Sequence, residues 1–219
     1  MTSLFAFVHT IAEKYIRETL ESLAKQTQSN FDVWVIDDAS KDNTRKICEE
    51  FFNQHHWNIK NIVSLPENGG LARARRYAET HVKTKYIGFI DADDVMLPYA
   101  VETMMGWMEK DDDCISVSGY CSYISPDGSD VQGGIYLGAT SRDEFFKQAE
   151  EEKLIFRPPM NISHVSWLLK AGGRAIDGFP PGKPRYQDMC EDLDLWTRMS
   201  DFYTEGKYMV VIPEVLFRY

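Results

Sequence analysis

The sequence predicts an α/β fold with a mostly parallel central sheet and helices on both faces. Three observations point there. The first half alternates short apolar runs with stretches of helical period, four times over. The apolar runs are rich in β-branched and aromatic residues, as buried parallel strands are. Polar clusters follow the second, third and fourth runs, and ligands in such sheets bind beyond the carboxyl ends of the strands.

Taken in order, Leu4 to Val8 reads as the first strand, and Ala12 to Ala24 as a helix with Ile16, Leu20 and Leu23 on one face. Phe31 to Ile36 is the second strand, and it runs into Asp37-Asp38-Ala39-Ser40. Lys41 to Phe52 is a helix, with Ile47 and Phe51 one turn apart, and Ile59 to Leu65 a third strand. Asn68-Gly69-Gly70 turns the chain into a helix over Leu71 to His81. Tyr86 to Ile90 is the fourth strand and Pro98 to Glu109 the fourth helix. Beyond residue 110 the pattern changes. Strands are expected at Cys114 to Tyr123 and Gln132 to Leu137, around the turn Ser125-Pro126-Asp127-Gly128. A helix follows at Arg142 to Ala149, then a strand over Ile162 to Leu169. A helix over 191–203 and a last strand, Tyr208 to Ile212, complete the series. Leu216 to Tyr219 reads as the start of another strand, so C-terminal truncation is expected. The expected organisation is one domain over 1–219 in two halves, 1–110 and 111–219.

The formal net charge of −10 argues against nucleic acid, because phosphate binding needs a basic face. An acidic protein still binds an anionic nucleotide when a metal screens the charge locally. No run approaches the roughly eighteen apolar residues of a membrane span, and the N-terminus lacks a signal-peptide pattern. Peripheral association with a membrane surface remains compatible with this. Four cysteines are widely spaced without a Cys-x-x-Cys pair, which suits reduced, cytoplasmic thiols. Asn161-Ile162-Ser163 matches a glycosylation sequon, read as chance without a secretion signal.

The most informative stretch is Phe89-Ile90-Asp91-Ala92-Asp93-Asp94. Three carboxylates at the end of a buried strand repel one another, and some would stay protonated. A hard divalent cation, Mg²⁺ or Mn²⁺, relieves this and often shares one or two carboxylates with substrate phosphates. Asp91 and Asp93 are therefore candidate metal ligands. The plainer reading is a solvated acidic turn. Asp37 and Asp38 offer carboxylates that accept from a nucleobase N–H, or else hydrogen-bond their own turn. Asn68 and Gly69, with Gly70, let backbone approach a ligand, or simply make a strand-to-helix turn. Arg75 is the charged residue expected at the site, while Arg73 and Arg76 diverge from it on the helix.

Four stretches carry a resemblance: Val35 to Thr44, Asn68-Gly69-Gly70-Leu71-Ala72-Arg73-Ala74-Arg75, Phe89 to Asp94, and Glu191-Asp192-Leu193-Asp194-Leu195-Trp196-Thr197-Arg198. In this order they resemble the family 2 glycosyltransferases, which have the GT-A fold. The resemblance implies inverting transfer of a sugar from a nucleoside diphosphate sugar, usually a UDP-sugar, to an acceptor hydroxyl, in polysaccharide or glycan synthesis. It implies that Asp38 pairs with the base and Asp91 lies near the ribose. It also implies that Asp93 ligates the metal bridging the phosphates, with Ala92 between them in the motif. Arg75 matches an arginine near the diphosphate, and Asp192 the catalytic base. The first strand departs from the family pattern of a Pro-Thr-x-Asn-like stretch: it ends in Val8-His9-Thr10-Ile11, where the proline and asparagine are missing and Thr10 is expected to keep the polar contact to the base.

Asp192 sits in a first helical turn, where the helix dipole favours its charged form. One such carboxylate opposite the leaving group gives inversion. Glu191 belongs to the acceptor side or completes a capping box with Asp188. His164 and Trp167 fall on the acceptor side by sequence order, although a core tryptophan is the common alternative. The loop Gly172 to Cys190, with four glycines and three prolines, is expected to shape the acceptor pocket. Two other readings compete: a nucleotide-sugar-binding module of a larger synthase without transfer activity, and a nicotinamide dehydrogenase. The second lacks Gly-x-Gly-x-x-Gly after the first strand.

Overall fold

In the computed structural model, residues 3–9, 13–151, 160–173 and 187–219 are described. Strands β1 (Ser3–His9), β2 (Phe31–Asp37), β3 (Ile62–Ser64) and β4 (Tyr86–Asp91) alternate with helices α1 (Ile16–Ala24), α2 (Thr44–Gln54) and α3 (Leu71–His81). They pair in parallel in the order β3-β2-β1-β4. Tyr86 to Ile90 is buried throughout, which is why β4 reads as an unbroken apolar run rather than an alternating one. Ile16, Leu20 and Leu23 form the buried stripe of α1. On α2 the buried side chains are Cys48, Phe51 and Phe52, with Ile47 half-buried beside them.

The second half is a mixed sheet. It contains β5 (Val95–Met96), α4 (Ala100–Met108), β6 (Cys114–Ile124), β7 (Asp130–Ile135), α5 (Arg142–Glu150), β8 (Asn161–His164), α6 (Val165–Lys170), α7 (Gln187–Ser200) and β9 (Tyr208–Arg218). The sheet continues from β4 through β8, β6 and β9 to β5, with β7 hairpinned onto β6. β8 lies antiparallel between β4 and β6. Because β5 follows β4 in the chain after a three-residue turn yet pairs with β9, the path curls back on itself. That turn is Ala92-Asp93-Asp94.

Three expectations change. The strand over Ile162 to Leu169 is instead β8 followed by α6, whose Val165 and Leu168 bury at helical spacing. The last strand does not stop at Ile212. β9 runs on to Arg218 and absorbs Pro213 where its register against β6 shifts, so Leu216 to Tyr219 is no separate strand. The loop expected up to Cys190 gives way to α7 at Gln187, and residues 174–186 lie outside the described residues.

The helices form two groups: α1 packs on α2, while α3 crosses β1 and β2 and meets α6 and α7. Among the described residues, no helix is long and apolar enough to cross a membrane.

Candidate active site

Strand register brings the polar clusters to one edge. His9 pairs with Asp37, Asp37 with Ser64, and Val8 with Asp91, so all lie at the carboxyl ends of parallel strands. Asp37 and Asp91 are two strands apart, or about 10 Å at the usual spacing.

The acidic turn alternates. Asp91 is half-buried and Asp93 exposed, while Ala92 and Asp94 face inward. The turn is held from beneath: Thr19 on α1 donates its hydroxyl to the Ala92 carbonyl at 2.8 Å, and the Asp94 N–H donates to the Asp91 carbonyl at 3.2 Å. Asp94 is 2% exposed, and its Oδ2 has no hydrogen-bond partner. Burial pushes its carboxyl up to about 8, with help from the charges of Asp91 and Asp93. This is the mutual repulsion that three clustered acids imply.

Arg75 organises the centre of the site. It is 3% exposed, and its guanidinium forks between two carboxylates. Nη1 donates to Asp192 at 2.7 Å and Nη2 donates to Asp91. Residues 16 and 117 positions away in sequence are joined by one side chain. Planar guanidinium suits such a two-way bridge, and lysine does not. Arg75 thus sits beneath the acids as their tie. Of its neighbours, Arg73 pairs with Glu67 at the surface, and Arg76 pairs with the buried Glu79 rather than with solvent. Asp194 bonds Arg198, which also donates to the Ala171 and Gly173 carbonyls and so ties α7 to the end of α6.

Asp38 is fully buried, and its two oxygens accept from the backbone N–H groups of Gly69 (2.9 Å) and Gly70 (2.8 Å). Gly70, at φ 83° and ψ 167°, occupies backbone space open essentially to glycine alone. Asp38 therefore fastens the Asn68-Gly69-Gly70 turn to β2. Asp37, also buried, accepts from the Ser40 N–H and the Ser64 hydroxyl and locks its own loop. Asn68 is exposed on the rim.

His164 and Trp167 require a correction. β8 runs antiparallel to β4, so His164 pairs with Tyr86, at the end of β4 remote from Asp91. The five-residue separation along β4 is roughly 16 Å. There His164 stacks edge-on against Tyr86, and Trp167 packs against Phe202 beneath Lys170. Sequence order suggested the acceptor side; strand direction reverses it. Thr10 and the side chains of Glu191 and Asp188 lie outside the described residues. Sequence reasoning missed Thr19, Glu18 and Tyr219, which border the acidic turn; the isolated pattern gave no signal for them, because β9 and α1 reach it only through folding.

Among the described residues, no three His, Cys, Asp or Glu side chains converge into a complete metal cluster. Such a cluster is not required when phosphate oxygens supply the remaining ligands. The exposed Asp93 and the half-buried Asp91 leave carboxylate oxygens accessible to a hard cation shared with a diphosphate, while the Asp94 oxygen is buried beneath them. A cavity of about 170 Å³ opens beside Asp93. A larger one of about 460 Å³ lies at the opposite end of β2, around Phe31, Trp57 and His56, far from these acids.

Comparison with known proteins bears on the family and the fold. The family described as Glycosyl transferase family 2 matches residues 7–170, well over half of the chain. The glycosyltransferase GlyG of Streptococcus pneumoniae serotype 4 is 30% identical over 166 residues, covering 76% of this chain and 51% of that protein. A stretch of 90 residues, 41% of this chain, is 38% identical to 12% of the teichoic acid poly(glycerol phosphate) polymerase of Staphylococcus epidermidis. The chain thus spans about half, or much less, of the curated relatives it matches. Among solved structures, S. aureus TarS 1–349 in complex with UDP aligns over the whole chain and 60% of its own length, with TM-score 0.70 at 20% identity. The mannosyltransferase PcManGT from Pyrobaculum calidifontis, in complex with GDP-Man and Mn²⁺, aligns over the whole chain and 56% of its own, with TM-score 0.65 at 17% identity. The curled α/β sheet, the acids gathered at its carboxyl edge and the family match lead to one assignment: this chain belongs to glycosyltransferase family 2 and has the GT-A fold.

Proposed function

We propose that the protein moves a sugar from a UDP-sugar to an acceptor hydroxyl with inversion, in the synthesis of a cell-surface polysaccharide. The observation that carries this is the Arg75 bridge, which holds the acidic turn and Asp192 in one assembly. UDP and UDP-N-acetylglucosamine, the ligands of two TarS structures, motivate the choice of donor. The teichoic acid polymerase and the chondroitin and hyaluronan synthases of Pasteurella multocida among the relatives motivate the choice of pathway class.

Each residue has a physical task. Asp93 and Asp91 would hold a divalent metal, Mn²⁺ or Mg²⁺, at the diphosphate. When bound, that ion supplies Lewis-acid stabilisation of the negative charge on the leaving diphosphate. Asp38 and Asp37 keep the Gly69-Gly70 turn and the Ser40 loop in place around the nucleoside. Asp192 takes the proton from the acceptor hydroxyl as the new bond forms, and one carboxylate on the face opposite the leaving group yields inversion. Arg75 fixes the orientation of that carboxylate so that it need not be organised during the reaction.

The test is release of UDP from UDP-N-acetylglucosamine or UDP-glucose in the presence of an oligosaccharide acceptor and Mn²⁺. Asp192→Asn should cut the transfer rate by about 10²- to 10⁴-fold, the usual contribution of a general base. It should leave UDP affinity within a factor of about two, because a base acts after binding. UDP binding without any transfer by the wild type would favour a binding module of a larger synthase. Unchanged transfer by the variant would remove Asp192 from the mechanism.

A further inference from the structure

The 170 Å³ cavity beside Asp93 is built by elements far apart in sequence. Tyr15 and Glu18 come from the start of α1, Tyr219 from the end of β9, and Ile124, Ser125, Pro126 and Gly128 from the hairpin between β6 and β7. The hairpin is cross-tied by hydrogen bonds. Asp127 accepts from the Ser129 N–H and hydroxyl, and Ser125 donates to the same carboxylate. Arg218 staples it by donating to the Gly128 carbonyl at 3.1 Å and to Asp130 at 2.6 Å. Tyr219 is clamped by backbone bonds, donating to the Ser122 carbonyl and accepting from the Ile124 N–H, both at 2.8 Å. Since Val95 pairs with Arg218, the same ladder fixes this wall relative to the acidic turn.

Size and chemistry restrict the occupant. Sites for drug-sized ligands run about 300–1,000 Å³, so this cavity suits a single ring rather than a nucleoside with its phosphates. Two tyrosines offer aromatic faces and phenolic hydroxyls. Its charged lining residues are Glu18 and Asp93, and no basic side chain is among them. The adjoining cations lie outside the lining: Lys14 donates to the Tyr15 phenol at 2.8 Å, and Arg218 pairs with Asp130. Partial burial, together with the charges of Asp94, Asp91 and Asp93, holds the Tyr219 phenol above its usual range.

Resting on the donor-site reading above, we propose that this cavity receives the transferred sugar and admits only an uncharged pyranosyl group, with Glu18 rejecting uronic acids. Carboxylates accept hydrogen bonds from sugar hydroxyls, whereas a sugar carboxylate beside Glu18 would face a like charge, and among the described residues no basic side chain lines the cavity to meet it. Exclusion by repulsion is a specificity device that needs no extra contact to the preferred donor.

Calorimetric titration of the protein with Mn²⁺ and four ligands tests this: UDP, UDP-glucose, UDP-N-acetylglucosamine and UDP-glucuronate. At least one of the two uncharged donors should bind about tenfold tighter than UDP-glucuronate, a ratio equal to about 1.4 kcal/mol. Glu18 is exposed on α1, so Glu18→Gln should fold as the wild type does. It should shrink that ratio by about threefold or more while UDP affinity stays the same, the signature of a lost repulsion. Tyr219→Ala should weaken the uncharged donors but not UDP. Equal binding of UDP-glucuronate by the wild type, or an unaltered ratio in Glu18→Gln, would overturn the inference while UDP binding upheld the donor site. Absence of UDP binding would overturn both.

Discussion

Replacing Arg75 by alanine leaves Asp91 and Asp192 facing each other without their shared cation, next to the buried Asp94. The cost follows from exposure. Removing one partner of a fully buried ion pair costs about 3–5 kcal/mol, because a charge is left uncompensated. Arg75 meets that description with its side chain 4% exposed, but Asp91 at 28% and Asp192 at 37% keep part of their hydration. Solvent screening brings the expected loss down to about 2–3 kcal/mol. For a domain of this size each kcal/mol moves the melting point by about 2–4 °C, so a fall of about 5–10 °C is expected. Arg75→Lys keeps the charge but cannot fork between two carboxylates, and it should recover only part of the loss. Both variants should also lose transfer activity by about 10²-fold, since a displaced base is as costly as a weakened one. Differential scanning fluorimetry and UDP release read the two effects. A lysine variant indistinguishable from wild type in both, or an alanine variant melting within about 1 °C of it, would refute the bridge as the organising contact.

Two further outcomes follow from buried groups elsewhere. Asp38→Asn leaves one acceptor oxygen for two backbone N–H groups, and the orphaned donor should cost about 1–3 kcal/mol in urea denaturation. His164 is 5% exposed, and burial, aided by Lys85 and Lys207, lowers its imidazole to about 4 from the ordinary 6.5. The folded state therefore resists protonation that the unfolded chain accepts. Stability linked to His164 is complete above pH 6.5 and declines as pH falls toward 4, by about 3 kcal/mol in total. The gap between wild type and His164→Gln should change across that window by this amount, measured by denaturation at several pH values; a constant gap would show that the ring is not held neutral.

Local pattern determined a good deal of this protein. The helix over Leu71 to His81 and the buried strand from Tyr86 are where periodicity puts them, because a one-faced or fully apolar run has few other stable uses. The parallel order of the first half follows from βα alternation, and that order brings Asp37 and Asp91 to one edge. The roles of the acids were less legible. Asp37-Asp38 and Asp91 to Asp94 look alike as clusters, yet Asp38 is consumed by two glycine amides while Asp93 stays open to solvent. Only packing distinguishes an acid that fastens backbone from one left exposed at the turn. Strand direction decided His164 and Trp167, since antiparallel β8 carries them to the far end of the sheet. The pairing of β5 with β9 was invisible to pattern, for a two-residue strand has no period. Yet that pairing curls the sheet and sets Tyr219 and the 124–130 hairpin beside the acidic turn. Sequence spacing says which residues share a face of one element; contacts between elements separated by a hundred residues arise only when burial of the whole core chooses among the ways those faces meet.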